Sequence, residues 1–175
     1  MNQEEIFHLI EKKYCPLSDE LKKEWATRSK IKILKKGHLL VEEGKRSSSL
    51  WFIASGGLRA YYTKDGKKIC DWFAFKNEFI CALSSFYSGQ PSFHRIDLLS
   101  DAVLLETSRD DIATLCEMFH EFERLGRLST TIGGQLTLVN PLLQSELSPQ
   151  ITTEWLGAWH IVTILLWVFG FILFR

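Results

Sequence analysis

The stretch Leu50-Trp51-Phe52-Ile53-Ala54-Ser55-Gly56-Gly57-Leu58-Arg59 decides the fold. Its apolar run is too short for a helix and ends at paired glycines, so it reads as a buried strand turning a tight corner. Glycine suits such a corner because it reaches the required dihedrals without a Cβ penalty. Upstream, Leu34-Lys35-Lys36-Gly37-His38-Leu39-Leu40-Val41-Glu42-Glu43-Gly44 has the same punctuation. Downstream, Leu58, Ala60 and Tyr62 alternate up to Lys64-Asp65-Gly66-Lys67. Asp-Gly between such runs predicts a two-residue hairpin, whose central positions both need positive φ. The return strand is Lys68 to Phe75, with Ile69, Asp71 and Phe73 alternating against Cys70 and Trp72. Val103 to Thr107 is the last clear strand. Strands this short, evenly spaced and aromatic predict a rolled antiparallel sheet.

Helical patterns flank the strands. Gln3 to Lys13 reads as an amphipathic helix with Ile6, Phe7, Leu9 and Ile10 on one face, interrupted by Pro16. Ser18 reads as an N-cap, with Asp19 and Glu20 in the first turn and Leu21 and Trp25 on the apolar side. Ser108 caps a helix running to Leu115. Glu117 to Leu128 carries Phe119, Phe122, Leu125 and Leu128 as one helical stripe. The predicted fold class is therefore α+β: an antiparallel β-roll, jelly-roll-like, with N- and C-terminal helices and a further hydrophobic C-terminal helix.

At 175 residues the chain holds one domain with a real core and an appendage. Lys+Arg and Asp+Glu are both 21, so no net charge draws the molecule toward nucleic acid. Nearly all charge lies before Ser129; beyond it only Glu146, Glu154 and Arg175 are charged. That composition break sets the expected organisation: an N-terminal helix over 1–16, a roll domain over 17–128, a linker over 129–154 and an apolar tail over 155–174. Cys15, Cys70, Cys81 and Cys116 form no CxxC pair, so neither a zinc nor an iron–sulfur site is expected. The five histidines do not pair at metal-ligand spacing. Met1 to Lys13 is polar and resembles no signal peptide, so a reducing cytoplasm is the expected setting of the domain. No Walker loop, HExxH motif or Ser/His/Asp arrangement is present, so no catalytic residue is expected and the chain does not read as an enzyme.

The order of two helices, glycine-punctuated strands, a loop with a short helix, a last strand and a helix resembles the effector domain of the Crp/Fnr regulators. Phe52 to Arg59, with Gly37 and Gly44, carries the resemblance most specifically. Asp71-Trp72-Phe73-Ala74-Phe75-Lys76-Asn77-Glu78-Phe79 and Glu123-Arg124-Leu125-Gly126-Arg127-Leu128 look closest to a divergent subgroup found in Bacteroidetes-like bacteria. The resemblance implies a cyclic-nucleotide-binding β-roll with a phosphate-binding cassette between two strands. In such cassettes a Gly-Glu pair opens a short helix and a later Pro-Arg pair follows. The glutamate takes the ribose hydroxyl, and the arginine pairs with the cyclic phosphate.

The matching residues here are Phe79, Ile80, Cys81, Ala82, Leu83 and Ser84, followed by Pro91, Ser92 and Phe93. Cys81 replaces the glycine, Ala82 the glutamate and Ser92 the arginine, while Arg95 stands near enough to act as a substitute or else faces solvent. The expected ligand is accordingly a small molecule, with a cyclic nucleotide or another compound left open. Cys81 is a redox-sensitive thiol if a helix terminus lowers its pKa, or a small buried hydrophobe if not.

The family's last helix leads to a dimer helix and a DNA-binding helix-turn-helix. Here the pattern stops at Leu128 and no basic helix follows, so a weak homodimer through 117–128 and no DNA binding are expected. Trp155 to Phe174 is 20 residues without formal charge, a length of about 30 Å as a helix, which matches a bilayer core. Two origins fit it: a tail anchor holding a cytoplasmic sensor at the membrane, or unselected sequence after a frame change near Ser129. The expected function is a non-enzymatic sensor or regulator with a degenerate cassette; the alternative is a membrane-tethered interaction protein with a vestigial pocket.

Overall fold

The computed structural model describes residues 1–129. Four helices and eight strands follow in the order α1 (Gln3–Lys13), α2 (Asp19–Arg28), β1 (Ser29–Leu34), β2 (Leu39–Val41), β3 (Ser49–Ser55), β4 (Gly57–Lys64), β5 (Lys67–Phe75), β6 (Phe79–Ile80), α3 (Leu83–Ser88), β7 (Arg95–Leu98), β8 (Ala102–Ser108) and α4 (Arg109–Met118). A further helical run occupies 120–129. The strands form two antiparallel four-stranded sheets, ordered β1-β8-β3-β6 and β2-β7-β4-β5. This is the expected α+β roll. The linker beyond Ser129 and the apolar stretch 155–174 lie outside the described residues. Among the described residues no helix is long and apolar enough to cross a membrane.

Local chemistry sets the helix ends. Ser18 and Ser108 cap α2 and α4 through their side chains, as expected. The sequence reading missed Asn2, which accepts from Glu5 N at 2.9 Å while Glu5 Oε2 accepts from Asn2 N at 3.1 Å, a reciprocal capping box. The expected division between the last two helices moves: α4 continues through Met118 and the break falls at Phe119, whose backbone is extended.

Two cores share the first sheet. On its outer side Phe52, Ala54 and Leu105 meet Ile6, Phe7, Ile10, Leu21, Trp25, Leu115, Phe122 and Leu125 from the helices. On its inner side Trp51, Ile53, Ile80 and Leu104 meet Val41, Leu58, Ala60, Ala74, Ile96 and Leu98 from the second sheet. Strand alternation explains the split: neighbouring residues of β3 and β8 serve opposite cores, so both strands are apolar on both faces. The indole of Trp25 ties helix to sheet, donating to Thr107 Oγ1 at 2.9 Å. The stripe expected to meet a second copy is occupied within the chain: Phe122 packs edge-on to Trp25 at 4.9 Å, with Phe119 and Leu128 beside the same core.

The Asp65-Gly66 hairpin forms as expected, both residues at positive φ (52° and 75°) and Lys64 facing Lys67. Gly56 has φ +97°, and a Cβ there would sit 2.7 Å from Asp101 O and from Ala102 Cβ. The corner thus requires glycine on both conformational and packing grounds. One expectation fails. The β4–β5 ladder pairs Ala60 with Trp72 but Tyr61 with Cys70, so Asp71 is an extra residue, a β-bulge. The expected alternation of Asp71 with Phe73 is broken there; Phe73 and Phe75 stack outward while Trp72 packs on the roll interior.

Candidate functional site

The cassette begins where β6 pairs with β3, Ile80 opposite Trp51 and Phe79 opposite Phe52. Ile80 faces the roll interior. Phe79 turns the other way and packs on Tyr14 and Phe52 at 5.5 and 5.0 Å, so it belongs to the helical core. Cys81 and Ala82 follow, and α3 runs from Leu83 to a left-handed Gly89. The loop after β2 straps both halves of this segment. Gly44 N donates to Ser92 O at 2.7 Å, and Ser92 N donates to Lys45 O at 2.8 Å. Ser47 N donates to Ser85 Oγ at 2.8 Å.

The positions expected to hold a ligand divide by burial. Ala82 and Ser92 are 0% and 1% exposed. The Ser92 hydroxyl donates to His94 O at 3.0 Å and accepts from His94 N at 3.1 Å, so it is engaged with its own loop. Leu83, Pro91 and Phe93 are exposed, Ser84 half-buried. Cys81 is buried, and that burial pushes its thiol up to about 12, which keeps it protonated at neutral pH and favours the small-hydrophobe reading.

Arg95 opens β7, where Ile96 and Leu98 are buried between the sheets. Alternation therefore places Arg95 on the outer face of the roll, and its Nε lies 3.5 Å from Glu43 Oε2. It pairs across the strand with Tyr61, not with the interior.

Sequence reasoning missed a cluster beside the cassette. His94, on the inward side of β7's register, is 4% exposed, and its Nε2 lies 2.6 Å from Asp71 Oδ2. Its ring lies 3.8 Å from Phe93, 4.5 Å from Trp72 and 5.9 Å from Tyr62. Thus the chain's own rings surround His94 next to Ser92, with Asp71 as the imidazole's polar partner. Counting back by twos from Leu98 and Ile96 was the available signal for His94; the bulge that presents Asp71 left none. Among the described residues no group of three or more His, Cys, Asp or Glu side chains is placed to hold a metal ion.

Residues 31–119, half of the chain, match the family model described as the cyclic nucleotide-binding domain. No curated protein matches the chain. Among solved structures, a cyclic nucleotide-binding domain from Methylobacillus flagellatus KT superposes with a TM-score of 0.65 at 15% identity, over 87% of this chain and 86% of that one. The catabolite activator protein of Thermus thermophilus gives 0.57 at 16% identity, over 79% and 62%. The regulatory domain of Toxoplasma gondii PKA, solved with cAMP, gives 0.56 at 17% identity, over 65% and 44%. The chain thus spans less than two thirds of the last two proteins. With the two-sheet roll, its glycine corner and the strapped cassette all in place, the matched residues leave one assignment: this chain belongs to the cyclic nucleotide-binding domain family.

Proposed function

We propose that the chain is a non-enzymatic, cytoplasmic sensor domain of the Crp/Fnr type whose cassette no longer grips a cyclic phosphate. One observation carries this reading. Ala82 and Ser92 stand buried where the family's carboxylate and guanidinium are expected, and Arg95 lies on the opposite face of its strand. Each charge-assisted hydrogen bond lost is worth roughly 1.5–3 kcal/mol, and every 1.4 kcal/mol is about tenfold in affinity. Losing the two anchors therefore weakens cyclic-nucleotide binding by about two to four orders of magnitude. The buried His94 ring, two residues past Ser92, supports the same conclusion, because it fills space next to the cassette with protein. A ligand of the roll would be a different small molecule, and regulation would pass through protein contacts, not a DNA-binding module of residues 1–129. Thermal unfolding of the full chain against a panel of metabolites and cyclic nucleotides tests this. Cyclic AMP and cyclic GMP are expected to leave the midpoint unchanged at micromolar concentration; a clear rise with either overturns the reading.

A further inference from the structure

A groove of about 430 Å³ lies between β2, the loop that follows it, the start of β3 and Glu106 of β8, with Val41 and Trp51 of the roll interior in its lining. Its volume falls within the ~300–1,000 Å³ range of small-molecule sites. Lys45 and Arg46 line it, are exposed, and make no ion pair with any described residue. Ser47, Ser48 and Ser49 line it as well, adding three hydroxyl donors.

Two carboxylates also border the groove. Glu106 is held by Lys32 at 3.5 Å, which leaves Glu42 as one unpaired acid against two unpaired cations. Trp51 completes the lining; it is 3% exposed, and its indole N–H is shielded with no acceptor.

We propose that this groove is a second ligand site, for a small oxyanion: a metabolite bearing a phosphate or carboxylate group. Lys45 and Arg46 supply the charge, with the arginine fork suited to two oxygens at once. The serine hydroxyls complete the oxyanion's shell. Occupancy would be felt by the cassette. The loop that carries Lys45 and Arg46 is the strap bonded to Ser92 and to Ser85 of α3. Ordering the loop holds those bonds in place.

Amide chemical shifts of the full, isotope-labelled chain, titrated separately with inorganic phosphate and with succinate at constant ionic strength, test the site. Saturable shifts at Lys45, Arg46, Ser47 and Ser48, with smaller ones at Ser85 and Ser92, are expected. Saturation by phosphate alone, succinate alone or both supports the site and identifies the group it takes. The surface variant Lys45→Ala/Arg46→Ala, checked for native circular dichroism, should bind about tenfold or more weakly. The absence of saturable shifts with both probes at millimolar concentration overturns the site. So do shifts that persist unchanged in the double variant.

Discussion

His94 Nε2 and Asp71 Oδ2 lie 2.6 Å apart, joining the residue that precedes β7 to the bulge in the β4–β5 hairpin. The imidazole is 4% exposed and ringed by Phe93, Trp72 and Tyr62, so it is both a packing group and the polar end of the cluster. Replacing His94 by Ala removes the ring and leaves a cavity, at a cost of about 2–4 kcal/mol. Asp71→Asn keeps the shape and loses only charge assistance, roughly 1 kcal/mol. Urea unfolding of both variants and of the double variant should give a coupling of about 0.5–2 kcal/mol. Additive effects would show that the two side chains do not act together.

Gly56 should be intolerant of any side chain. At φ +97°, with a Cβ 2.7 Å from Asp101 O, Gly56→Ala must move the backbone at Asp101 and Ala102. A loss of about 1–3 kcal/mol in chemical denaturation is expected. Gly66→Ala, also at positive φ but in open space, should cost less.

The Trp25–Thr107 bond fixes the helices on the first sheet. Thr107→Val preserves shape and leaves the buried indole N–H without an acceptor, which costs about 1–3 kcal/mol. Thr107→Ser keeps the hydroxyl and should recover most of the bond. A valine variant as stable as the native chain would show that the hydrogen bond contributes nothing to stability.

Burial pushes the Cys81 thiol up to about 12 from an ordinary 9.0. Two outcomes follow. Between pH 7 and 9 the native chain should label at Cys81 more slowly than at half-buried Cys70 and Cys116, as followed by mass spectrometry. The unfolded chain loses this proton near its ordinary value while the folded chain holds it. The group's contribution to stability is therefore complete below about pH 9 and declines as pH rises from there toward 12. Labelling at Cys81 as fast as at Cys70 would mean the cassette opens readily.

The elements that obey local rules were readable in the sequence. Ser18 and Ser108 are caps because a hydroxyl suits an orphaned N–H, and Asp65-Gly66 is a hairpin because both residues reach positive φ. The corner at Gly56 was legible for the same reason, though its collision with Ala102 was not, since that strand is distant in sequence. The bulge at Asp71 was illegible: Lys68 to Phe75 alternates acceptably without it, and only pairing with β4 shows the extra residue. The missed bulge hid the His94 partnership. Phe79 opens the cassette in sequence, and its pairing opposite Phe52, which sets its ring against the helical core, shows only in the sheet. Phe119 to Leu128 reads as a free apolar stripe in sequence, and only Trp25 shows what it covers.

Calorimetric titration of cyclic AMP into the full chain, beside the variant Ala82→Glu/Ser92→Arg, tests the proposed loss of the phosphate grip most directly. The native chain should give no binding tighter than about 0.1 mM, a free energy of roughly −5.5 kcal/mol. The variant should gain heat if its restored charges can reach the nucleotide. Submicromolar binding by the native chain would contradict the reading, because Ala82, Ser92 and the outward Arg95 would then be holding a phosphate they are not arranged to hold.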